Sequence, residues 1–373
     1  MTIPLVDLNR QYEEIKDEVK EAMTRIMESS AFILGEEVRQ FENEFASFCG
    51  SRYAIGVSSG TAALHLALLA AGVEKGDEVI TVPYTFTATV EVISYVGAKV
   101  VFVDINPEDY NIDVSCIEEK ITKKTKAILL VHIYGHPVDL EPILALADKY
   151  GLKVIEDAAQ AHGAEYRGKK VSVLGTVGCF SFYPGKNLGA YGDGGIVVTN
   201  DREIANKVKL LRNHGQREKY EHIVEGFNYR LDALQAAILR VKLTRLSSWN
   251  KNRRQHAKLY NELLAGMEVI TPVEREYAKH VYHLYVVRTK DRNGLQEWLQ
   301  SQGIATGTHY SLPLHLQKAY EHLGYKKGDF PVAEKCSQEV ISLPMFPELT
   351  REEIEEVCGA VKSFLSNPSL SSP

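Results

Sequence analysis

Lys186 stands in the stretch 178–195, GCFSFYPGKNLGAYGDGG. An apolar, β-prone run ends at Ser181, Phe182 and Tyr183. The chain then breaks at Pro184-Gly185, and glycine recurs at 189, 192, 194 and 195. A lysine amine on a tight turn after a strand can attack a carbonyl or take a proton. Taken alone, such a short motif is more often a solvated loop lysine. Three other stretches occupy the same kind of position, where a strand gives way to a helix. Ser58-Ser59-Gly60-Thr61 offers N–H groups and hydroxyls to a phosphate, or is a plain helix cap made by Ser59 or Thr61. In Pro83-Tyr84-Thr85-Phe86, the Phe86 ring covers a planar ligand or belongs to the core. In Glu156-Asp157-Ala158-Ala159-Gln160, Asp157 is either a helix cap or a carboxylate among apolar neighbours that needs a cationic partner.

Three competing motifs fail on their residues. A Walker loop needs glycine five positions before Gly185 and Ser or Thr after the lysine, where this chain has Phe180 and Asn187. The run from Gly192 misses the dinucleotide pattern at Val197. His132 and His136 are four apart, but Gly135 and Pro137 rule out a helical zinc pair, leaving them as loop residues and possible substrate contacts. Together the four stretches supply a phosphate cradle, an aromatic cover, a carboxylate and a lysine. That is the set pyridoxal phosphate requires: the lysine carries it as a Schiff base, and the carboxylate keeps its ring nitrogen protonated.

These loops need a scaffold that brings strand ends together. Short apolar runs (Tyr53–Val57, Glu78–Val82, Lys99–Val103, Ala127–Val131, Lys153–Glu156) alternate with helical segments at 61–71, 86–96, 113–120 and 139–149. The pattern predicts an α/β fold with a mainly parallel central sheet and helices on both faces, with ligands bound outside the carboxyl ends of its strands. Amphipathic helices over 11–28 and 36–48 precede it. A strand at Gly195–Val198, a helix over 201–211 and a long polar loop at 213–230 follow. Helices from Asp232 and around 248–265 lead into a smaller α+β domain. That domain has a strand at Val281–Arg288, a helix at Gly294–Gln302, a Gly/Pro-punctuated stretch at 303–347 and a last helix at 351–365. The reading places a large domain at 1–246 and a small C-terminal domain at 247–373, with segment 1–30 able to pack on the small domain. The tail NPSLSSP reads as frayed.

The chain has 373 residues, 45% of them hydrophobic, and a formal net charge of −6, which argues against a nucleic-acid-binding surface. No apolar run approaches the ~20 residues needed to span a bilayer, and the N-terminal stretch lacks a signal-peptide pattern. The five cysteines are scattered, with no Cys-x-x-Cys pair, as expected of reduced thiols in the cytoplasm.

With SSGTAAL (58–64), EDAAQAHGA (156–164), SFYPGKNLGAYGDGG (181–195), RNHGQ (212–216) and FNYRLDALQAA (227–237), the chain resembles the DegT/DnrJ/EryC1/StrS family of sugar-nucleotide aminotransferases over nearly its whole length. The resemblance implies the aspartate-aminotransferase type of PLP-dependent fold (fold type I). It implies Lys186 as the Schiff-base lysine, Asp157 at the pyridine nitrogen, Phe86 on the ring and Gln160 near its phenolic oxygen. Gly60, Thr61 and Ser181 would hold the phosphate, with Asn228 reaching it from the neighbouring subunit of a homodimer. Loop 213–230 would then be the inter-subunit loop. The resemblance further implies L-glutamate as amino donor, 2-oxoglutarate as by-product, pyridoxamine phosphate as the alternate cofactor form and a nucleotide-diphosphate keto sugar as acceptor. Residues 309–335 look most like members acting at C3, although His136 stands where many have Gln, so C4 stays open. Tyr183, Arg230, His309, Tyr310 and His315 are candidate sugar or diphosphate contacts. Dehydratase members carry histidine in place of the lysine, which this chain keeps. A PLP-binding regulator and a lyase or racemase on the same fold are the rival classes.

Overall fold

The computed structural model describes residues 2–367. In chain order the elements are α1 (Leu8–Ser29), α2 (Gly35–Cys49), β1 (Tyr53–Val57), α3 (Gly60–Ala70), β2 (Glu78–Thr81), α4 (Ala88–Tyr95), β3 (Lys99–Phe102), β4 (Thr125–Val131), α5 (Leu140–Tyr150) and β5 (Lys153–Asp157). Then come β6 (Glu165–Tyr166), β7 (Lys169–Lys170), β8 (Val177–Ser181), β9 (Gly195–Thr199), α6 (Arg202–Leu211), β10 (Gln216–Glu218), β11 (Glu221–His222), α7 (Ala233–Leu243) and α8 (Leu246–Leu263). The chain closes with β12 (Ala278–Lys279), β13 (Tyr285–Arg288), α9 (Arg292–Ser301), α10 (Pro331–Glu339), β14 (Val340–Leu343) and α11 (Arg351–Leu365). The expectation for the C-terminal tail falls on 367–373, which apart from Asn367 lies outside the described residues.

The central sheet has seven strands in the order β1-β9-β8-β5-β4-β2-β3. All run in one direction except β9, which is antiparallel to both β1 and β8. Successive residues along β2, β8 and β9 are buried, as in a sheet covered on both faces. Side-chain caps start several of the helices, though Thr87, Asp139 and Asp232 stand at the caps of α4, α5 and α7 without making one. Asp7 accepts from the Asn9 and Arg10 N–H groups, Ser59 from Ala62, Asp201 from Glu203 and Ile204, and Thr350 forms a capping box with Glu353.

Several expectations are corrected. The helix at 113–120 is two short 3-10 turns, Val114–Cys116 and Glu118–Lys120. The Asp113 side chain accepts from the Ser115 N–H and hydroxyl, so local side-chain bonding competes with an α-helical ladder. The strand at 281–288 is confined to Tyr285–Arg288. Val281 and His283 instead donate their N–H groups to the carbonyls of Gly135 and Tyr134, binding this segment to the loop after β4. Loop 213–230 contains the β10–β11 hairpin.

One hydrophobic core surrounds the central sheet and includes Leu314, Tyr320, Phe330 and Val340 from late in the chain. A second is built by α8, α9, α11, β13 and β14 and takes in Ile3. The N-terminal segment joins this second core: Ile3 exchanges backbone bonds with Gly303 and Ala305, and Arg10 pairs with Glu353 at 2.6 Å. The inner face of α1 (Ile15, Val19) packs instead on Ile238 and Trp249. All five cysteines are free, and only Cys116 is not buried. Among the described residues no helix is long and apolar enough to cross a membrane.

Candidate active site

The loops after β1, β2, β4, β5 and β8 lie at the carboxyl ends of parallel strands, where an open α/β sheet binds ligands. The loops after β1 and β8 touch. A Cβ added to Gly60 would lie 2.6 Å from the Ser181 Cβ, so only glycine lets the start of α3 meet Ser181. The reversal of β9 makes this possible. Its first residue, Gly195, enters between the two loops, and a Cβ there would lie 2.3 Å from the Ser59 carbonyl oxygen. Ser59 caps α3 through the Ala62 N–H at 3.1 Å, so the capping reading holds for Ser59. Gly60 and Thr61 are the first two residues of the helix. First-turn N–H groups have no intrahelical partner, and with Ser181 alongside they suit an anion.

Asp157 ends β5 and is buried. Its Oδ1 accepts from the Ala159 N–H at 3.1 Å, and its Oδ2 from the Thr89 hydroxyl at 2.9 Å. Burial pushes its carboxyl pKa up, opposed by those two bonds and by the charge of Lys186. A buried carboxylate with so little cationic compensation is a seat for a ligand cation. Its neighbour Glu156 faces the other side of β5 and is fully committed. It accepts from the Ser172 N–H (2.6 Å), the Gly175 N–H (2.7 Å) and His132 Nε2 (3.0 Å).

Lys186 follows the turn in which its own N–H donates to the Tyr183 carbonyl at 2.9 Å. Burial lowers its amine pKa to about 8, and Asp157 pulls the other way. A shifted amine that feels a buried carboxylate is suited to nucleophilic and basic work near neutral pH. Asn187 anchors the turn from below. Its Nδ2 donates to Asn250 Oδ1 (2.9 Å) and the Val281 carbonyl (3.1 Å), and its Oδ1 stands 3.2 Å from His283 Nδ1.

Phe86 is 55% exposed, and its ring centroid lies 6.3 Å from that of Tyr310. An exposed phenylalanine at a strand end leaves a face for a planar ring. Gln160 is held by both ends of its amide: Oε1 accepts from the Tyr134 N–H at 2.6 Å and Nε2 donates to the Tyr310 hydroxyl at 3.1 Å. Tyr183 is exposed. His309 Nδ1 stands 2.9 Å from the Ser342 hydroxyl, and burial, then the Lys186 charge, lower its pKa. Asn228 is exposed, while Arg230 donates to Asn213 Oδ1 at 3.0 Å and pairs with Val57, so this segment borders the end of β1.

The structure does not bring every candidate to the cleft. The His315 side chain is fully buried, its Nε2 is 3.0 Å from Glu334 and its ring packs on Phe330. His132 and His136 are also core residues rather than substrate contacts. His132 Nδ1 accepts from the Val138 N–H at 3.0 Å, which leaves Nε2 to donate to Glu156. His136 Nε2 accepts from the Arg275 N–H at 3.2 Å, and its Nδ1 lies 2.7 Å from the Pro137 carbonyl. Sequence reasoning misses Thr89, Tyr84, Tyr134 and Asn187. Thr89 follows Thr85 by one helical turn, a hydroxyl pair that could have signalled a polar lining. The tyrosines next to strand ends carry no comparable local signal.

These residues fit pyridoxal phosphate on the structure's own terms. The start of α3 at Gly60 meets Ser181 where first-turn N–H groups could receive a phosphate, an exposed aromatic ring lies at Phe86, and a buried acid lacks a full cationic partner. The lysine amine near that acid has a lowered pKa.

Residues 13–362 match the DegT/DnrJ/EryC1/StrS aminotransferase family. The chain is 50% identical to a pleiotropic regulatory protein of Geobacillus stearothermophilus, over 98% of this chain and 99% of that one. It is 48% identical to a dTDP-3-amino-3,6-dideoxy-alpha-D-galactopyranose transaminase of Aneurinibacillus thermoaerophilus, over 97% and 99% respectively. The solved structure of DesV from S. venezuelae superposes with a TM-score of 0.97 at 43% identity, covering 98% of this chain and 99% of DesV. With a seven-stranded sheet, strand-end loops and lysine turn like these, the chain belongs to the DegT/DnrJ/EryC1/StrS aminotransferase family.

Proposed function

We propose that this protein moves an amino group from L-glutamate to a nucleotide-linked keto sugar, at C3 of the sugar, using pyridoxal phosphate. The observation that carries the proposal is that Lys186, its pKa lowered to about 8 by burial, lies within electrostatic reach of the buried, under-compensated Asp157 on the neighbouring strand end. Bound at this site, the cofactor supplies an electron sink for the carbanion formed at the donor's Cα. Lys186 Nζ would hold the cofactor and, once freed, would serve as the base for the donor's Cα proton. Asp157, its orientation fixed by Thr89 and Ala159, would keep a proton on the ring nitrogen. Gly60, Thr61 and Ser181 would hold the phosphate, Phe86 would cover the ring and Gln160 would present its amide beside it. Tyr183, Arg230, His309 and Tyr310 are the residues assigned to contact the sugar nucleotide.

Support for a sugar nucleotide comes from relatives whose names specify 3-amino sugars or 3-oxo sugar nucleotides. Support for a homodimer with shared sites comes from segment 213–230. Tyr220 there is 82% exposed, Ile223 and Val224 are also exposed, and Asn228 faces outward. Exposed apolar side chains on a hairpin beside a cleft mark a surface that another chain covers.

The test is incubation with glutamate and a panel of nucleotide 3-keto and 4-keto sugars, with the new C–N bond located by NMR. Amination at C3 is expected. Amination at C4 would replace the regiochemistry, and no amination of any member would overturn the proposal. One specific observation favours a second reading, since a relative at 50% identity bears a regulatory name. Glutamate alone separates the two. An aminotransferase converts its pyridoxal phosphate to pyridoxamine phosphate and releases 2-oxoglutarate, whereas a non-catalytic binder leaves the visible absorbance unchanged.

A further inference from the structure

Tyr134 has φ +56° and ψ 3°, a left-handed conformation that is strained for a bulky side chain and persists only where surrounding contacts enforce it. Four contacts do so. Its N–H donates to Gln160 Oε1 at 2.6 Å, and its carbonyl accepts from the His283 N–H at 2.8 Å. Its hydroxyl donates to the His309 carbonyl oxygen and lies 3.0 Å from the Tyr84 hydroxyl. Tyr84 stands at the end of the neighbouring strand β2. Its hydroxyl also donates to the His309 carbonyl, at 3.0 Å, and accepts from the Tyr310 N–H at 3.1 Å. Both tyrosines are buried, with Tyr110 packed against both rings. Burial pushes both phenol pKa values far above the working range, so both hydroxyls remain donors.

We propose that Tyr134, with Tyr84, is a positioning residue that fixes the His309–Tyr310 backbone over the cofactor site and registers it to the Gln160 amide. The same residue that orients Gln160 through its main chain grips His309 through its side chain. Tyr310 returns to Gln160 through its own hydroxyl and closes the loop. The ring-side amide and the acceptor-side segment therefore share one rigid reference. The inference rests on the reading of His309 and Tyr310 as sugar-side residues.

The test uses holoenzyme of wild type, Tyr84→Phe, Tyr134→Phe and the double variant. Each half-reaction is followed by the cofactor's absorbance, and amide hydrogen exchange is read on the peptide spanning 305–312. Either single variant leaves one hydroxyl on the His309 carbonyl, whereas the double variant leaves none. The double loss in kcat/KM for the nucleotide keto sugar is therefore expected to exceed the product of the single losses. It should appear mainly as raised KM, at least tenfold larger than the loss in the glutamate half-reaction. Exchange at Tyr310 should rise at least tenfold in Tyr84→Phe and further in the double variant. Equal losses in both half-reactions, or strictly multiplicative single effects, would overturn the inference. Unchanged exchange at 309–310 would overturn it even if no keto sugar were turned over by wild type. Failure of wild type on the whole sugar panel would count against the proposed function instead.

Discussion

Asp157→Asn isolates charge from shape. The amide has the same volume as the carboxylate, and the surroundings can rearrange their protons around it. The oxygen of the new amide would keep the Ala159 N–H, now at 3.1 Å, and its nitrogen would donate to the Thr89 hydroxyl, which at present donates to Asp157. Thr89 would in turn donate to Thr85, 3.1 Å away, where either hydroxyl can be the donor. No buried polar atom is orphaned, so folding stability should change by less than about 1 kcal/mol. What disappears is the buried negative charge proposed to hold a proton on the ring nitrogen. Breaking such a buried pair costs about 3–5 kcal/mol. At 1.36 kcal/mol per tenfold, the glutamate half-reaction should slow by roughly two to four powers of ten. Single-turnover absorbance against glutamate reads the rate, and thermal melting and cofactor content act as controls. A variant within tenfold of wild type would refute the assignment of Asp157 to the ring nitrogen. An equally slow variant with a collapsed melting temperature would make its role structural.

The remaining predictions use other parts of the same architecture. With the Lys186 pKa lowered to about 8, roughly one amine in ten is neutral at pH 7, against about one in three thousand for an ordinary lysine. The rate at which cofactor-free protein takes up pyridoxal phosphate should therefore be fully developed above pH 8 and be lost as pH falls through it; an inflection above pH 10 would contradict the burial argument. Gly60→Ala places a methyl 2.6 Å from the Ser181 Cβ. It should cost about 1–3 kcal/mol of overpacking and weaken cofactor affinity at least tenfold by equilibrium titration. Gly72→Ala, at positive φ but with no neighbour in reach, should leave affinity unchanged. Arg212→Met strips the buried Glu42 carboxylate of its ion pair, leaving it only the Gly56 N–H at 2.8 Å. Urea unfolding should show a loss of about 3–5 kcal/mol, partly recovered by Arg212→Met with Glu42→Leu.

Lys186 and Asp157 were legible in the sequence because their signals are local: a strand, a sharp break and small residues around one chemically active side chain. Gly60 was legible for the same reason, although its necessity comes from Ser181, a residue far along the chain. The direction of β9 was not legible, since an apolar run such as Gly195–Thr199 reads alike in either direction and pairing partners lie outside the window. Residues 113–120 looked helical by spacing, but the Asp113 turn competes with the ladder. Tyr84, Tyr134 and His309 are separated by 50 to 225 positions and meet only through hydroxyl and carbonyl geometry. No periodicity records that. His132 and His136 carried the residue type of a site, and tertiary structure used their ring nitrogens to tie loops to the core.

Glu156 and Asp157 are adjacent acids on one strand, and the pleat sends them to opposite faces. The longer one reaches three donors inside the protein, and the shorter one stops at the cleft. Exchanging them, Glu156→Asp with Asp157→Glu, conserves composition, net charge and hydrophobic pattern, yet each acid would then miss its target by about one methylene. The parity of β5 is thus a form of address. Which acid is read by the ligand and which by the scaffold is decided by whether its position is odd or even, and a one-residue slip of the strand would deliver each to the wrong recipient.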